Sequence, residues 1–258
     1  MDKDFLDLLR DPDNKGALQY FRSGKIEYLS SPSGRKYPIK DDIVCFLDDS
    51  ELTGNNARFR KLYDRFAPLY DLSTSLYARF RQGSVTARIL QYLKELDVHD
   101  SDKVIEISVG TGRNLKCLNR NARYYGVDIS LGMLKRCVRE MRSDGRPVGL
   151  VQAEAEDLPL RESAFDVVFS AGGFNFFNDR KKAVEEMLRV AKSGTKLLIS
   201  DETAKVMARF EKTLGAKSSS HGQVAIKGPA DFIPDWCRDV EYKEICDGEL
   251  YALTFRKP

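Results

Sequence analysis

Two carboxylates and two glycines form the clearest chemical pattern in the sequence. In Val104-Ile-Glu-Ile-Ser-Val-Gly-Thr-Gly112 an apolar run carries Glu106 and breaks into a loop. There Gly110 and Gly112 let the backbone turn tightly and approach a ligand that a Cβ would exclude. The next apolar run ends at Asp128, where a carboxylate can accept two hydrogen bonds from a ribose diol. Glu154, in QAEAEDLPL, follows the third run. Three carboxylates in one crevice attract positive charge and repel phosphate. A dinucleotide fingerprint starting at Gly110 would need glycine at position 115, which is Leu115, and no GxxxxGK[ST] occurs. Nicotinamide and nucleoside triphosphates therefore fall behind a phosphate-free, cationic nucleoside.

Side chains able to take a proton are few: His221 in the loop SSSHGQ, Asp201 and Glu202. His221 also fits a solvated loop histidine, so no catalytic residue is assigned. The five cysteines, Cys45, Cys117, Cys137, Cys237 and Cys246, are odd in number and form no CxxC pair. That suits buried thiols in a reducing compartment better than disulfides or zinc. No run approaches the length of a membrane span, and the acidic start MDKDFLDLLRDPD is unlike a signal peptide. A cytoplasmic protein is expected.

These residues need elements to hold them. From about residue 99, apolar strands alternate with amphipathic helices, the pattern of a doubly wound, Rossmann-like α/β sheet. Strands are predicted at 103–108, 122–128, 148–153, 165–171 and 195–201. Ser130 would cap a helix with the buried stripe Leu134, Cys137, Val138 and Met141. A second helix would begin near Asp179, bury Ala183, Val184, Met187, Leu188 and Ala191, and end with Gly194 as its cap. Two strands flanking Asp247-Gly248 predict an antiparallel hairpin at the end of a mostly parallel sheet. Residues 50–98 read as an aromatic helical segment, and residues 1–49 as a small β-rich appendage ending in a polar linker. At 258 residues, 42% hydrophobic and 31% charged, one large domain with an appendage fits, and intrinsic disorder does not. The net charge of +3 argues against a nucleic-acid partner.

The segment EISVGTG, with Asp128 and AEDLPLRESAFDVVFS, resembles the class I S-adenosylmethionine-dependent methyltransferases over residues 99–258. Within them it is similar to the ubiquinone and menaquinone C-methyltransferases, as is YDRFAPLYD. Ser108 stands where that family usually has the first glycine of its loop. The resemblance implies S-adenosylmethionine as cofactor, with Glu106 organising its methionine end beside Ser108, Gly110 and Gly112. It implies Asp128 on the ribose, Ile129 and Met133 over the adenine, and Glu154 and the Ala155 amide at the adenine edge. Met133 fits core packing equally well. The preceding helices would form a lid through Tyr70 and Tyr63, a spacing that also fits a buried helix stripe. The stretch Gly172 to Asn178 would border the methyl acceptor, with Phe174, Asn175, Phe176, Phe177 and Tyr77 shaping an apolar pocket.

A second resemblance lies in residues 1–49. Asp11-Pro-Asp-Asn14 and Ser30-Ser-Pro-Ser33 have the spacing of a zinc ribbon whose ligand positions, Asp11, Asn14, Ser30 and Ser33, hold no cysteine. Oxygen ligands bind Zn²⁺ weakly, so a metal-free remnant is expected. An ordinary β-rich appendage with accidental spacing is the alternative. The expected function is methyl transfer to a small aromatic or lipid-like molecule. Methylation of RNA or protein is the alternative suggested by the appendage, and a non-catalytic scaffold is a third. The sequence carries no signal of oligomeric state.

Overall fold

The computed structural model describes residues 2–47, 53–54, 56–58, 60, 64, 84–206 and 228–258. Apolar, β-branched runs form the central strands β5 (Lys103–Ile107), β6 (Arg123–Asp128), β7 (Val148–Gln152), β8 (Val167–Ala171) and β9 (Lys196–Glu202). All five are parallel, in the order β7-β6-β5-β8-β9. The predicted strands match to within two residues at each end. Chain direction across the sheet reverses between β6 and β8, beside β5. Crevices of open α/β sheets lie at such a switch point, outside the carboxyl ends of the strands.

Alternation along each strand sends side chains to two separate cores. Ile105, Ile107, Val168, Leu197 and Ile199 pack on one face, and Val104, Val167, Phe169 and Leu198 on the other. Helix α2 (Val85–Leu93) and helix α3 (Leu131–Ser143) cover the second face with Ile89, Tyr92, Leu93, Leu134, Cys137, Val138 and Met141. Ser130 caps α3 as expected, accepting from the Met133 amide at 3.1 Å. Helix α4 (Arg180–Val190), capped by Asp179, covers the first face with Ala183, Val184, Met187 and Leu188. It ends earlier than expected. Ala191, not Gly194, is its C-cap, in an extended conformation, and Gly194 turns the chain at φ +80° just before β9.

The final strands β10 (Arg238–Ile245) and β11 (Leu250–Arg256) form the expected antiparallel pair, with β11 also antiparallel to β9. Their connection is wider than a two-residue turn. Residues Cys246, Asp247 and Gly248 take successive positive φ values of 52°, 58° and 74° before the Glu249 amide closes on the Cys246 carbonyl at 3.1 Å.

The N-terminal residues continue the same sheet. Strands β1 (Gln19–Ser23), β2 (Ile26–Ser30), β3 (Lys36–Lys40) and β4 (Ile43–Cys45) form an antiparallel meander whose last strand pairs in parallel with β7. Among the described residues the result is one eleven-stranded sheet. The preceding turn of helix, α1 (Lys3–Leu6), places Phe5, with Leu8 and Leu9 after it, in the core beside Tyr125 and Phe165. Side-chain hydrogen bonds shape the two elbows. Buried Asp11 accepts from the Tyr37 hydroxyl at 2.8 Å, Asn14 from the Gly16 amide at 2.7 Å, and Ser31 bonds Ser33 at 2.7 Å. Ser30 directs its hydroxyl to the Ser31 carbonyl.

Candidate functional site

The glycine loop owes its shape to three left-handed residues: Ser108 at φ +65°, Gly110 at +54° and Gly112 at +77°. Glycine adopts this region freely, whereas Ser108 holds it at a cost of roughly 1–2 kcal/mol. The two glycines have different reasons. A Cβ on Gly110 would face Met133 at the cavity, whereas one on Gly112 would sit 2.7 Å from Cys137 Sγ of α3. Gly112 therefore permits close packing of the loop on that helix.

Asp128 locks the loop from the neighbouring strand. Its Oδ2 accepts from the Gly110 amide at 2.8 Å and its Oδ1 from the Ser130 amide at 2.9 Å. Burial raises its pKa to about 6 against these backbone bonds, and the nearby Asp64 charge adds to the rise. Asp64 itself accepts from Ser130 Oγ at 2.5 Å and the Gly132 amide at 2.9 Å, joining the segment before α2 to the start of α3.

Glu106 lies fully buried behind the loop. Its Oε1 accepts from Asn114 Nδ2 at 2.5 Å, while Oε2 has no hydrogen-bond partner among the described residues. Burial pushes this carboxyl well above the ordinary glutamate value, the Asn114 bond opposes that shift, and Asp128 adds to it. The Tyr92 hydroxyl donates to Asn114 Oδ1 at 2.7 Å and so turns the amide nitrogen toward Glu106. This relay crosses three elements, and sequence inspection misses both Tyr92 and Asn114.

In front of these groups lies a cavity of about 320 Å³. Ser108, Gly110, Asp128, Ile129, Met133 and Ala155 line it. Met133 belongs to neither core cluster. Glu154 stays out of the wall and accepts from Asn56 Nδ2 at 2.7 Å. Glu156, two residues on, does line it and accepts from Asn56 at 3.2 Å and from the Asn178 and Asp179 amides at 2.7 and 3.2 Å.

The far end of the cavity is walled by Val85, Arg88 and Ile89 of α2, by Phe176 and Phe177, and by Ser200, Asp201, Glu202 and Leu250. Phe174 turns into the core, edge-on to Phe177 and Phe232, because a short 3-10 turn at Phe174–Phe176 rotates it away. Asn175 also stays out of the wall: its amide bonds Asp201 at 2.8 Å and its side chain the Glu202 carbonyl at 2.9 Å. Tyr63, Tyr70, Tyr77 and His221 lie outside the described residues. Among the described residues no cluster of His, Cys, Asp and Glu could hold a metal, and no helix is long and apolar enough to cross a membrane.

Residues 105–199 match the family described as methyltransferase domain. The chain is 29% identical over 165 residues to the ubiquinone/menaquinone biosynthesis C-methyltransferase UbiE of Wigglesworthia glossinidia brevipalpis, covering 62% of this chain and 64% of that one. The match thus spans less than two thirds of that relative. The uncharacterised methyltransferase YdaC of Bacillus subtilis is 27% identical over 169 residues, covering 64% of this chain and 89% of its own length. In fold, the chain resembles a chain from the complex between the Haloferax volcanii Trm112 methyltransferase activator and a methyltransferase. The TM-score is 0.60 at 18% identity, over 76% of this chain and 97% of that one. The glycine loop at the sheet's switch point lies within this segment, which is similar to a methyltransferase domain, and the cofactor that this likeness implies is S-adenosylmethionine.

Proposed function

We propose that the protein transfers a methyl group from S-adenosylmethionine to a small aromatic or lipid-like acceptor. The observation that carries this reading is that the glycine loop and the apolar wall of Phe176, Phe177, Leu250, Val85 and Ile89 share one cavity. The residues present fit the cofactor. Glu106 offers a buried carboxyl oxygen with no hydrogen-bond partner among the described residues at the base of the loop, which suits the methionine ammonium. Asp128 anchors Gly110 at the cavity wall, where its carboxylate suits the ribose. Met133 and Ile129 present apolar surface for the adenine.

The cofactor supplies an already activated methyl group. What remains for the chain is to align the acceptor and exclude water. Gly173 brings backbone close to Ser108 of the loop, and the two phenylalanines give the cavity an apolar aromatic lining that suits a planar acceptor. The names of the quinone methyltransferase relatives agree with such an acceptor.

Two measurements test the reading. Millimolar S-adenosylhomocysteine is expected to raise the melting temperature, since it binds the folded state alone. Radiolabel from methyl-labelled cofactor is expected to enter extracted lipids and reduced quinones in preference to bulk RNA. Salt-sensitive labelling of RNA alone would overturn the acceptor class, and no stabilisation by the cofactor product would overturn the enzyme.

A further inference from the structure

One polar side chain of the cavity wall precedes the α/β unit in the chain and has no part in the reading above. Asn56 lines the cavity, is 4% exposed, and donates from Nδ2 to Glu154 Oε1 at 2.7 Å and to Glu156 Oε2 at 3.2 Å. Carboxylate oxygens accept, so these two bonds decide which end of the amide faces them, and they occupy its nitrogen. What remains is Oδ1. Among the described residues it accepts no hydrogen bond, so Asn56 can meet a ligand only as an acceptor.

The side chain is held from both directions along the chain. The Thr53 carbonyl accepts from the Ala57 amide at 3.3 Å and from Asn178 Nδ2 at 3.2 Å. Gly54, at φ +60°, runs so close to Asn178 that a Cβ there would meet its Oδ1 at 2.9 Å. Further on, Asp64 is tied to Ser130 and Gly132 at the start of α3. Glu156, one of the two partners, is itself fixed by the Asn178 and Asp179 amides. An amide anchored in this way has little freedom left to lose when a ligand arrives. Glu154 and Glu156 flank Ala155, so the amide that bridges them spans a second lining residue. The Ala155 N–H donates to no group among the described residues. Donor and acceptor thus stand together on one wall.

Resting on the methyltransferase reading above, we propose that Asn56 determines base specificity for the cofactor, its Oδ1 accepting from the exocyclic amine of the adenine where the sequence led us to expect the Glu154 carboxylate. An amide whose nitrogen is occupied cannot turn round to donate. The wall therefore favours a base with an amine at that position over one with a carbonyl, which would face oxygen with oxygen, or with hydrogen, which would leave Oδ1 unpaired. Residue 56 precedes the matched segment 105–199, so recognition of the base draws on a part of the chain that the likeness to a methyltransferase domain does not cover.

The test uses the full chain and two ligands: S-adenosylhomocysteine and its 6-desamino analogue, in which hydrogen replaces the amine and ring nitrogen N1 stays an acceptor. Calorimetry on the wild type is expected to show the analogue binding about tenfold more weakly, because a buried acceptor loses its donor. In Asn56→Ala the preference for the amine is expected to vanish. A purely structural Asn56 would weaken both ligands alike and leave the preference standing. Equal affinities in the wild type would overturn the assignment without any variant that has to fold, and so would a preference that survives Asn56→Ala. Tighter binding of S-adenosylhomocysteine by Asn56→Ala would overturn it as well, since the side chain would then be a plug. Wild type that binds neither ligand would overturn the methyltransferase reading itself, whereas equal affinities leave that reading intact.

Discussion

Ser108 and Gly173 are coupled sterically, and the coupling can be measured. A methyl group added to Gly173 would lie 2.1 Å from Ser108 Oγ and 2.5 Å from Ser108 Cβ, contacts no rotamer of so short a side chain can relieve. The Gly173 backbone, at φ −138° and ψ −18°, does not itself forbid alanine. Gly173→Ala alone therefore carries an overpacking cost of about 1–3 kcal/mol, offset by about 0.4–1 kcal/mol from the stiffer unfolded chain. Ser108→Gly relieves the left-handed strain, worth roughly 1–2 kcal/mol, but gives back about 0.5–1 kcal/mol in backbone entropy. It should be close to neutral. Combined, the two substitutions remove the clash and keep the unfolded-state gain, so the double variant should approach wild-type stability. The interaction energy expected from the cycle is on the order of 1–3 kcal/mol. Urea unfolding of the four proteins measures it. Additivity within about 0.5 kcal/mol would refute the contact and the loop geometry with it.

Other outcomes follow from the same geometry. Asp128→Ala should weaken S-adenosylhomocysteine binding by about 1–3 kcal/mol, read by calorimetry; unchanged affinity would remove Asp128 from the site. Because the folded-state pKa of Asp128 is raised to about 6 from 3.8, its stabilising contribution in the ligand-free protein is fully present below pH 4 and is lost as pH rises through 6. The stability difference between wild type and Asp128→Asn should thus shrink by up to about 3 kcal/mol over that window, and a flat difference would contradict the burial. Leu9, fully buried and bridged to Leu160, should cost about 2–5 kcal/mol on truncation to alanine, lowering a single calorimetric transition. Two separate transitions would show that residues 2–47 unfold alone.

The strands and helices around the glycine loop were legible because burial on both faces writes long apolar runs and strong helical stripes into the chain. Asp128 and Gly110 were legible for the same reason, since the ends of those runs mark the crevice. Three kinds of feature were not. The Tyr92–Asn114–Glu106 relay joins side chains from separate elements, and nothing local distinguishes Asn114 from any polar loop residue. Among Phe174, Phe176 and Phe177 only the turn decides which ring faces the cavity, and Glu156 replaces Glu154 for a similar reason of side-chain direction. The pairing of β4 with β7 is long-range, and Cys45-Phe46 reads equally well as the end of a separate unit.

That pairing has a consequence for biogenesis. Strand β4 leaves the ribosome long before its mate: Ile43 must wait for Leu150, at normal elongation rates a delay on the order of ten seconds. Throughout that interval Leu8, Leu9, Leu29 and Val44 have no α/β core to enter. Synthesis in a chaperone-depleted translation system should therefore send nascent chains into the pellet, and codon choices that slow elongation between the two strands should aggravate the loss.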